Sequence, residues 1–392
     1  MSVLKVGNNC CACKCCQNVC KFGAISFEKD HYGFEQVCID SKNCVNCGMC
    51  EKVCPQIITA EFFAPIKCGW AYAVDEQEKF NGSSGGLFGV LAKHILKKGG
   101  VVFGAGFDAD LKLKTAKAEN FSQLTPLYKS KYLLCDTGKS FSEMKKCLDS
   151  GQTVLYCSSP CQISALKLYL GENYDNLLTV EFVCHGVSSQ FLFDKSVDYV
   201  QSKKHIKITD FRFREKGKNQ SSYYYSYKYI SNGRQREKSG LYLSFPFYNA
   251  YCKEIVYREG CYSCKYANEK RCADITIGDF HNIGKYESEI DRFAGVSMFV
   301  INTQNGLVYW NEISPFIRKK DFDLEVIYNN NRFCTDGKVP DLRRQFFERL
   351  VNKGFKSAVL RYLLPVRDIK RIVNYNMPKF IRNAVIKLRG VK

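Results

Sequence analysis

No apolar run in this sequence approaches the ~18 residues needed to span a bilayer, and its opening, MSVLKVGNNCC, holds no apolar signal-peptide core. Low-complexity tracts are also missing. These absences point away from a transmembrane or a secreted protein and toward a soluble, cytoplasmic one, with thiols reduced or bound to metal. A hydrophobic fraction of 45% with 25% charged residues is ordinary for a globular chain. At 392 residues there is room for two or three domains, each with its own core.

What the sequence has in excess is cysteine, 22 in all. A disulfide scaffold suits short secreted chains, not this one. The formal charge of +19 counts every cysteine as neutral. Each 4Fe–4S core with four thiolates contributes about −2, so three clusters would lower +19 to about +13. Residues 353–392 hold eleven Lys or Arg against one acid, Asp368. A basic groove for nucleic acid would spread charge and aromatics over a surface; half of the excess lies in this tail instead, so no nucleic-acid partner is expected. The tail suits peripheral contact with an anionic membrane on its inner, cytoplasmic face, or simply a solvated basic helix face.

The one internal repeat is at the N-terminal end. Cys10, Cys13, Cys16 and Cys20 recur 34 residues later as Cys44, Cys47, Cys50 and Cys54. In C-x2-C-x2-C-x3-C, three thiolates on a tight loop cap one cubane and the fourth reaches the other. Cys10, Cys13, Cys16 and Cys54 are therefore expected to hold one 4Fe–4S cluster, and Cys44, Cys47, Cys50 and Cys20 a second. The second copy ends in Cys54-Pro55, the first in Cys20-Lys21. Zinc uses two separated pairs of ligands, and two eight-ligand copies do not fit it. Cys11, Cys15 and Cys38 have no partner at this spacing and read as packing thiols.

Beyond a linker at 61–68 the pattern alternates. GWAYAV (69–74), VVFGAGF (101–107), TVLYC (153–157), LLTVEFVC (177–184), ADITIGDF (273–280) and GVSMFVI (295–301) read as strands. Residues 86–97 and 161–170 read as helices, with Leu87, Val90, Leu91 and Ile95 on one face. Residues 223–243 read as a hairpin turning at Asn232-Gly233. From Asp341 onward the period is helical. The expected fold class is thus α+β and α/β. It has a bacterial-ferredoxin-like domain at 1–62, a central α/β domain at 69–335, and a basic helical tail at 341–392.

Cys161 follows a strand and opens a helix, Cys184 ends a strand, and Cys261 and Cys264 form C-x2-C. Loops at the carboxyl ends of strands converge on the ligand crevice of an open α/β sheet, so these four can form a third thiolate site. Cys157 and Cys272 are rival ligands. A Cys157/Cys161 redox pair, a zinc site and unrelated buried thiols also fit the spacing. A Cys184-His185 dyad does not, since neighbours in a strand point to opposite faces. Asn81-Gly82-Ser83-Ser84-Gly85-Gly86 precedes a helix, where backbone N–H groups and the helix dipole favour an anion such as a diphosphate. Ser and Gly are equally helix-capping residues, and the P-loop and G-x-G-x-x-G spacings are missing.

NGSSGG (81–86), SPCQISALK (159–167), LLTVEFVCHGVSS (177–189) and CYSCKYANEKRCADITIGDF (261–280), in this order, resemble the coenzyme F420 hydrogenase/dehydrogenase beta subunits over about residues 69–300. The resemblance implies a flavoprotein, with FAD near a core 4Fe–4S cluster held by Cys161, Cys184, Cys261 and Cys264. It makes Ser83, Ser84, Gly85 and Gly86 the FAD contacts and disfavours Cys272 as a ligand. Members act on the deazaflavin coenzyme F420; relatives act on chlorophyll intermediates or in surface-polysaccharide pathways. Here Asp279-Phe280 is followed by His281-Asn282 where the family often has Trp-Gly, which points to a different substrate if that stretch lines the pocket. The implied function is electron passage between the ferredoxin-type clusters and FAD to reduce or oxidise an organic substrate, with a ferredoxin or oxidoreductase subunit as redox partner. The alternative is a non-catalytic electron-transfer subunit docking to a separate enzyme. No catalytic acid or base is assigned; His185 and His281 are candidates, against solvated or structural histidines.

Overall fold

A computed structural model describes residues 6–58, 60–216, 223–281, 283–290, 295–330, 333–334, 337–363 and 381. The cysteine repeat is also a repeat of backbone. Ala12 and Lys14 in the first copy, and Asn46 and Gly48 in the second, all take positive φ (47°, 58°, 56° and 72°). Left-handed residues wind each loop tightly enough to turn successive thiols inward. Each loop runs into a short helix, Cys15–Val19 and Met49–Lys52. Between them lies the antiparallel hairpin of β1 (Ile25–Lys29) and β2 (Glu35–Ile39). This is the ferredoxin-like N-terminal region.

The core strands follow in chain order: β3 (Lys67–Ala73), β4 (Val101–Phe107), β5 (Leu113–Ala118), β6 (Val154–Ser158) and β7 (Leu177–Phe182). Next come β8 (Lys207–Glu215), β9 (Tyr224–Ser231) and β10 (Arg234–Leu241). The last are β11 (Ile275–Asp279), β12 (Ser297–Ile301) and β13 (Ile317–Asp321). Eight strands form one mixed sheet in the order β13-β3-β12-β11-β7-β6-β4-β5. β4, β6, β7 and β11 run parallel. Helices cover both faces of such strands, so β7 is buried from Leu177 to Glu181, and the antiparallel β12 beside β11 is buried along its whole length. Helix Leu87–Lys97 buries Leu87, Val90, Leu91 and Ile95, and ends where Gly100 N–H bonds the Ile95 carbonyl.

Carboxyl ends of β6, β7 and β11 lie level, with Ser158 beside Glu181 and Phe182 beside Ile277. β12 and β3 bring the start of one and the end of the other to the same edge, through Asp279–Ser297 and Ser297–Ala71 pairing. The chain segments that lead to Cys161, Cys184 and the Ser83–Gly86 loop leave the sheet at this edge. The smaller sheet, β10-β9-β8, turns its hairpin at Asn232 and Gly233, both at positive φ. Its aromatic face packs Phe211, Tyr225 and Phe245 against Phe193.

The sequence pattern misses helix Gln190–Lys204, strands β5, β8 and β13, and helix Glu76–Asn81. Helix Asp341–Tyr362 does not stand apart as a tail. Phe346, Phe347 and Leu350 enter the same core as Phe34 of the N-terminal region, because its apolar face needs cover. Residues 364–380 and 382–392, most of the expected basic tail, lie outside the described residues. Among the described residues no helix is long and apolar enough to cross a membrane.

Candidate functional site

Three sets of thiols are gathered. Cys20, Cys44, Cys47 and Cys50 line one small cavity of about 30 Å³, walled otherwise by Phe22, Ile25, Ile39, Val45 and Met49. Cys47 is exposed, and Phe22, Val45 and Met49 form an apolar collar around it. Cys16 and Cys54 pack together on Ile25, and Cys10 adds its charge to theirs. Burial, then Cys10 and Cys54, push the Cys16 thiol up to about 12. Cys13 belongs to a different core cluster, with Cys15 and Tyr266, and its thiol hydrogen-bonds with Cys11, while Thr137 donates to its carbonyl at 2.7 Å.

The third set surrounds a cavity of about 70 Å³ at the carboxyl edge of the sheet, lined by Cys11, Cys161, Cys184, Cys261 and Cys264. β6 delivers Cys161, and the loop after β7 delivers Cys184. The C-x2-C loop is docked there by Arg258 N–H on the Val187 carbonyl and Cys261 N–H on the Arg258 carbonyl. Burial and neighbouring thiols raise Cys184 to about 11 and Cys261 further. A thiol must lose its proton to ligate metal, so assembly of a cluster here releases protons. Among the described residues no three His, Cys, Asp or Glu close on a single ion; the thiols stand around a space, as corners of a cubane require. The donor chemistry, all sulfur and no carboxylate, fits an iron–sulfur cluster.

The rivals lie elsewhere. Cys157 lines the neighbouring larger cavity. Cys272 is fully buried and donates to the Pro160 carbonyl and Glu181 at 3.3 Å each. Along with Cys135, Cys11, read from sequence as a packing thiol, also lines the cavity. It hydrogen-bonds with both Cys13 and Cys161, which holds it well below the usual thiol range. No spacing rule could have shown this, since it depends on how the N-terminal loop docks on the core. That docking uses Cys15 Sγ to the Ala165 carbonyl, Tyr266 to the Pro55 carbonyl (2.6 Å) and Lys14 to Asp136 (2.7 Å).

The larger cavity, about 580 Å³, shares Ala105, Lys131, Phe182, Cys184, Gly186 and Val187 with the thiol cavity. This volume suits a drug- or cofactor-sized ligand. Gly82, Ser83, Ser84 and Gly86 line it; Gly85 does not. Gly85 N–H bonds Ser297 Oγ at 2.9 Å, and a side chain there would meet the Ala71 carbonyl, so its role is close packing on the sheet. Ser83 Oγ accepts from Ser130 N–H at 2.7 Å, and Ser84 Oγ donates to the Val296 carbonyl at 2.7 Å.

Cations surround the loop that sequence alone did not reveal. Lys129 Nζ bonds the Phe80 carbonyl at 2.8 Å, and Lys216 Nζ bonds the Ser84 carbonyl at 2.8 Å. Burial lowers Lys129 to about 8 and Lys131 to about 7. Arg214 reaches the site through a β8 bulge, at φ 57°, where the register shifts. It holds Asp279 by two bonds of 2.8 and 2.9 Å and the Ser83 carbonyl at 3.2 Å. Despite the burial that opposes it, Arg214 keeps Asp279 at about 2. The opposite wall is aromatic, with Tyr132 and Tyr251 stacked at 4.2 Å. Basic groups beside a Ser/Gly loop and aromatic walls beyond fit a flavin nucleotide.

His185 and His281 both line this cavity and are exposed. β7 ends at Phe182, before Cys184-His185, so strand alternation does not separate that pair as expected; both side chains face the large cavity. Asp279 and His281 do line the pocket.

Gly186 forms part of the wall between the cavities. Its φ is +133°, and a Cβ would come within 2.7 Å of Tyr257. Gly186→Ala is expected to destabilise the protein by about 2–4 kcal/mol, combining backbone strain and overpacking. Anaerobic thermal unfolding followed by circular dichroism checks this; an unchanged midpoint would show that the wall yields.

Residues 151–322 match the family described as the C terminus of the beta subunit of coenzyme F420 hydrogenase/dehydrogenase. Residues 9–58 match the 4Fe-4S dicluster domain. No curated protein matches the chain in sequence. Solved structures similar to it include a chain of the F420-reducing NiFe hydrogenase complex from Methanosarcina barkeri, derivatised with xenon. It is 14% identical, with a TM-score of 0.43, covering 78% of this chain and 94% of that one.

Proposed function

The chain belongs to the coenzyme F420 hydrogenase/dehydrogenase beta-subunit family, joined to a 4Fe–4S dicluster domain, and from that premise we propose that it is an FAD-dependent iron–sulfur oxidoreductase. Electrons pass between a protein redox partner and an organic substrate such as coenzyme F420 or a polysaccharide-pathway intermediate. The observation that carries this reading is the wall shared by the thiol-lined cavity and the 580 Å³ cavity. A metal centre and an organic cofactor placed there would be neighbours.

In this reading Cys10, Cys13, Cys16 and Cys54 hold one cluster, and Cys20, Cys44, Cys47 and Cys50 another. Cys161, Cys184, Cys261 and Cys264 hold the third. The ferredoxin portion spans 1–62, the core 69–335 and the C-terminal extension 341–392. Bound flavin would supply the exchange between one-electron and two-electron chemistry. Ser83, Ser84 and Gly86, with Lys129 and Lys131, would hold its phosphates, and Tyr132 and Tyr251 would exclude water from its ring. Exposed Cys47 and its collar of Phe22, Val45 and Met49 give a redox partner an apolar surface close to a cluster.

Anaerobic purification with iron, sulfide and flavin analysis tests the reading. About twelve irons and one flavin per chain are expected. About eight irons without flavin would favour the non-catalytic electron carrier. Colourless protein would end both.

A further inference from the structure

A buried charge needs an opposite charge or a full set of hydrogen bonds, since desolvation otherwise costs several kcal/mol. Three arginines of this protein that are buried or largely so show how that need is met. Arg214 pairs with Asp279, Arg271 pairs with Glu181, and Arg343 lies against the rings of Phe34, Tyr262 and Phe347. Arg258 is different. It is 2% exposed. Its Nε donates to the Cys10 carbonyl. Its Nη2 donates to the Glu35 carbonyl at 2.6 Å and to Gln36 Oε1 at 3.2 Å. Nη1 is buried with no hydrogen-bond partner, and among the described residues no carboxylate pairs with this guanidinium. The side chain lines the cavity of Cys11, Cys161, Cys184, Cys261 and Cys264.

We propose that Arg258 is a potential-setting residue shared by two of the three clusters: its Nη1 side faces the anionic core cluster, and its Nε side is bonded to the backbone of Cys10, a ligand of the adjacent N-terminal cluster. The inference rests on the iron–sulfur reading above and adds the group that tunes it. A 4Fe–4S cluster with four thiolates carries about −2, which is the counter-charge that the orphaned guanidinium lacks. Reduction adds one more negative charge. A fixed cation and an N–H donor at the cavity wall favour the reduced state and raise the potential. The cluster of Cys20, Cys44, Cys47 and Cys50 has none of this; its cavity is lined without Arg258.

The test is redox titration of the full chain, purified anaerobically with its clusters, with each cluster followed by its electron paramagnetic resonance signal. In Arg258→Gln the core cluster and the Cys10 cluster should each shift to more negative potential. At fixed ambient potential the ratio of reduced to oxidised core cluster should fall at least tenfold, about 59 mV for a one-electron couple. The cluster of Cys20, Cys44, Cys47 and Cys50 should not move. Arg258→Lys, which keeps the charge but not the planar fork, should lie closer to the native values.

Unchanged potentials in a fully loaded Arg258→Gln protein would overturn the proposal, as would equal shifts of all three clusters. Should that variant fail to load, native protein labelled with 15N at the guanidinium decides. Reduced core cluster should show a hyperfine coupling to that nitrogen which Arg258→Lys removes; no such coupling overturns the proposal. Native protein lacking about four of the expected irons would instead count against the third-cluster reading itself.

Discussion

Of the about twelve irons proposed for this chain, Cys161→Ser and Cys264→Ser should each remove about four, while leaving the two N-terminal clusters and the proposed flavin in place. A cubane offers four corners, and a hydroxyl is a poor substitute for a thiolate on iron. The larger cavity keeps its Ser/Gly loop and its lysines, because neither residue lines it. Electron passage between the N-terminal clusters and the flavin should slow by at least about 100-fold, comparing with the 10–100-fold that even outer-shell changes cost a metal site. Tunnelling weakens exponentially with distance, and without the core cluster nothing bridges the gap behind Cys10 and Cys13.

The controls make the assignment specific. Cys157→Ser and Cys272→Ser should keep all the iron. One thiol faces the other cavity, and the other is bonded to Pro160 and Glu181. Cys11→Ser should keep it too. Iron analysis with electron paramagnetic resonance of dithionite-reduced protein measures these five variants and Cys184→Ser. Full iron content in Cys161→Ser and Cys264→Ser would sink the core assignment. Loss of the core cluster in Cys11→Ser, with retention in Cys184→Ser, would move the fourth corner to Cys11.

Cysteine is legible in a sequence because its chemistry depends on spacing, and spacing is what a sequence records. The two N-terminal quartets follow from the 34-residue repeat, and their shared left-handed positions show the same period in the backbone. Cys161 and Cys184 could be placed at the carboxyl edge because largely apolar runs alternating with helices mark buried parallel strands, whose ends form the crevice. Arg214 could not. Its approach to Asp279 depends on a bulge in β8, and nothing in the run FRFRE announces an extra residue there. Cys11 and Arg258 owe their positions to the docking of the N-terminal loop on the core, a contact between residues 248 apart in sequence. Lys129 and Lys131 sit in a loop that the alternation of strands and helices passes over. Such groups are set by tertiary packing, which periodicity does not encode.

Lys131→Met should weaken flavin binding and stabilise the flavin-free protein, and both effects should fade as pH rises. Lys131 lines both cavities, with Nζ on the Tyr128 and Pro126 carbonyls at 2.6 and 2.8 Å. Burial lowers it to about 7 in the folded protein, against about 10.4 for an unfolded lysine. Between those values the unfolded chain binds the extra proton, so the stability of flavin-free protein rises with pH, by up to about 1.4 kcal/mol per unit. Below about pH 7 both states carry the proton and the burden is constant. Methionine removes it, so the stability gain should be largest at pH 6–7 and fade toward pH 10. An anionic phosphate needs the charged lysine. Native affinity should therefore fall as pH rises from 7 to 9, by up to about tenfold per unit for each lysine involved, with Lys129 joining near 8. The affinity deficit of Lys131→Met, about 10–100-fold at pH 6.5, should shrink at pH 9, where the native side chain is itself mostly neutral. Quenching of flavin fluorescence across this range, alongside thermal unfolding of the flavin-free protein, measures both slopes. A deficit that stays constant with pH would mean that Lys131 acts through its bonds to the loop carbonyls and not through its charge.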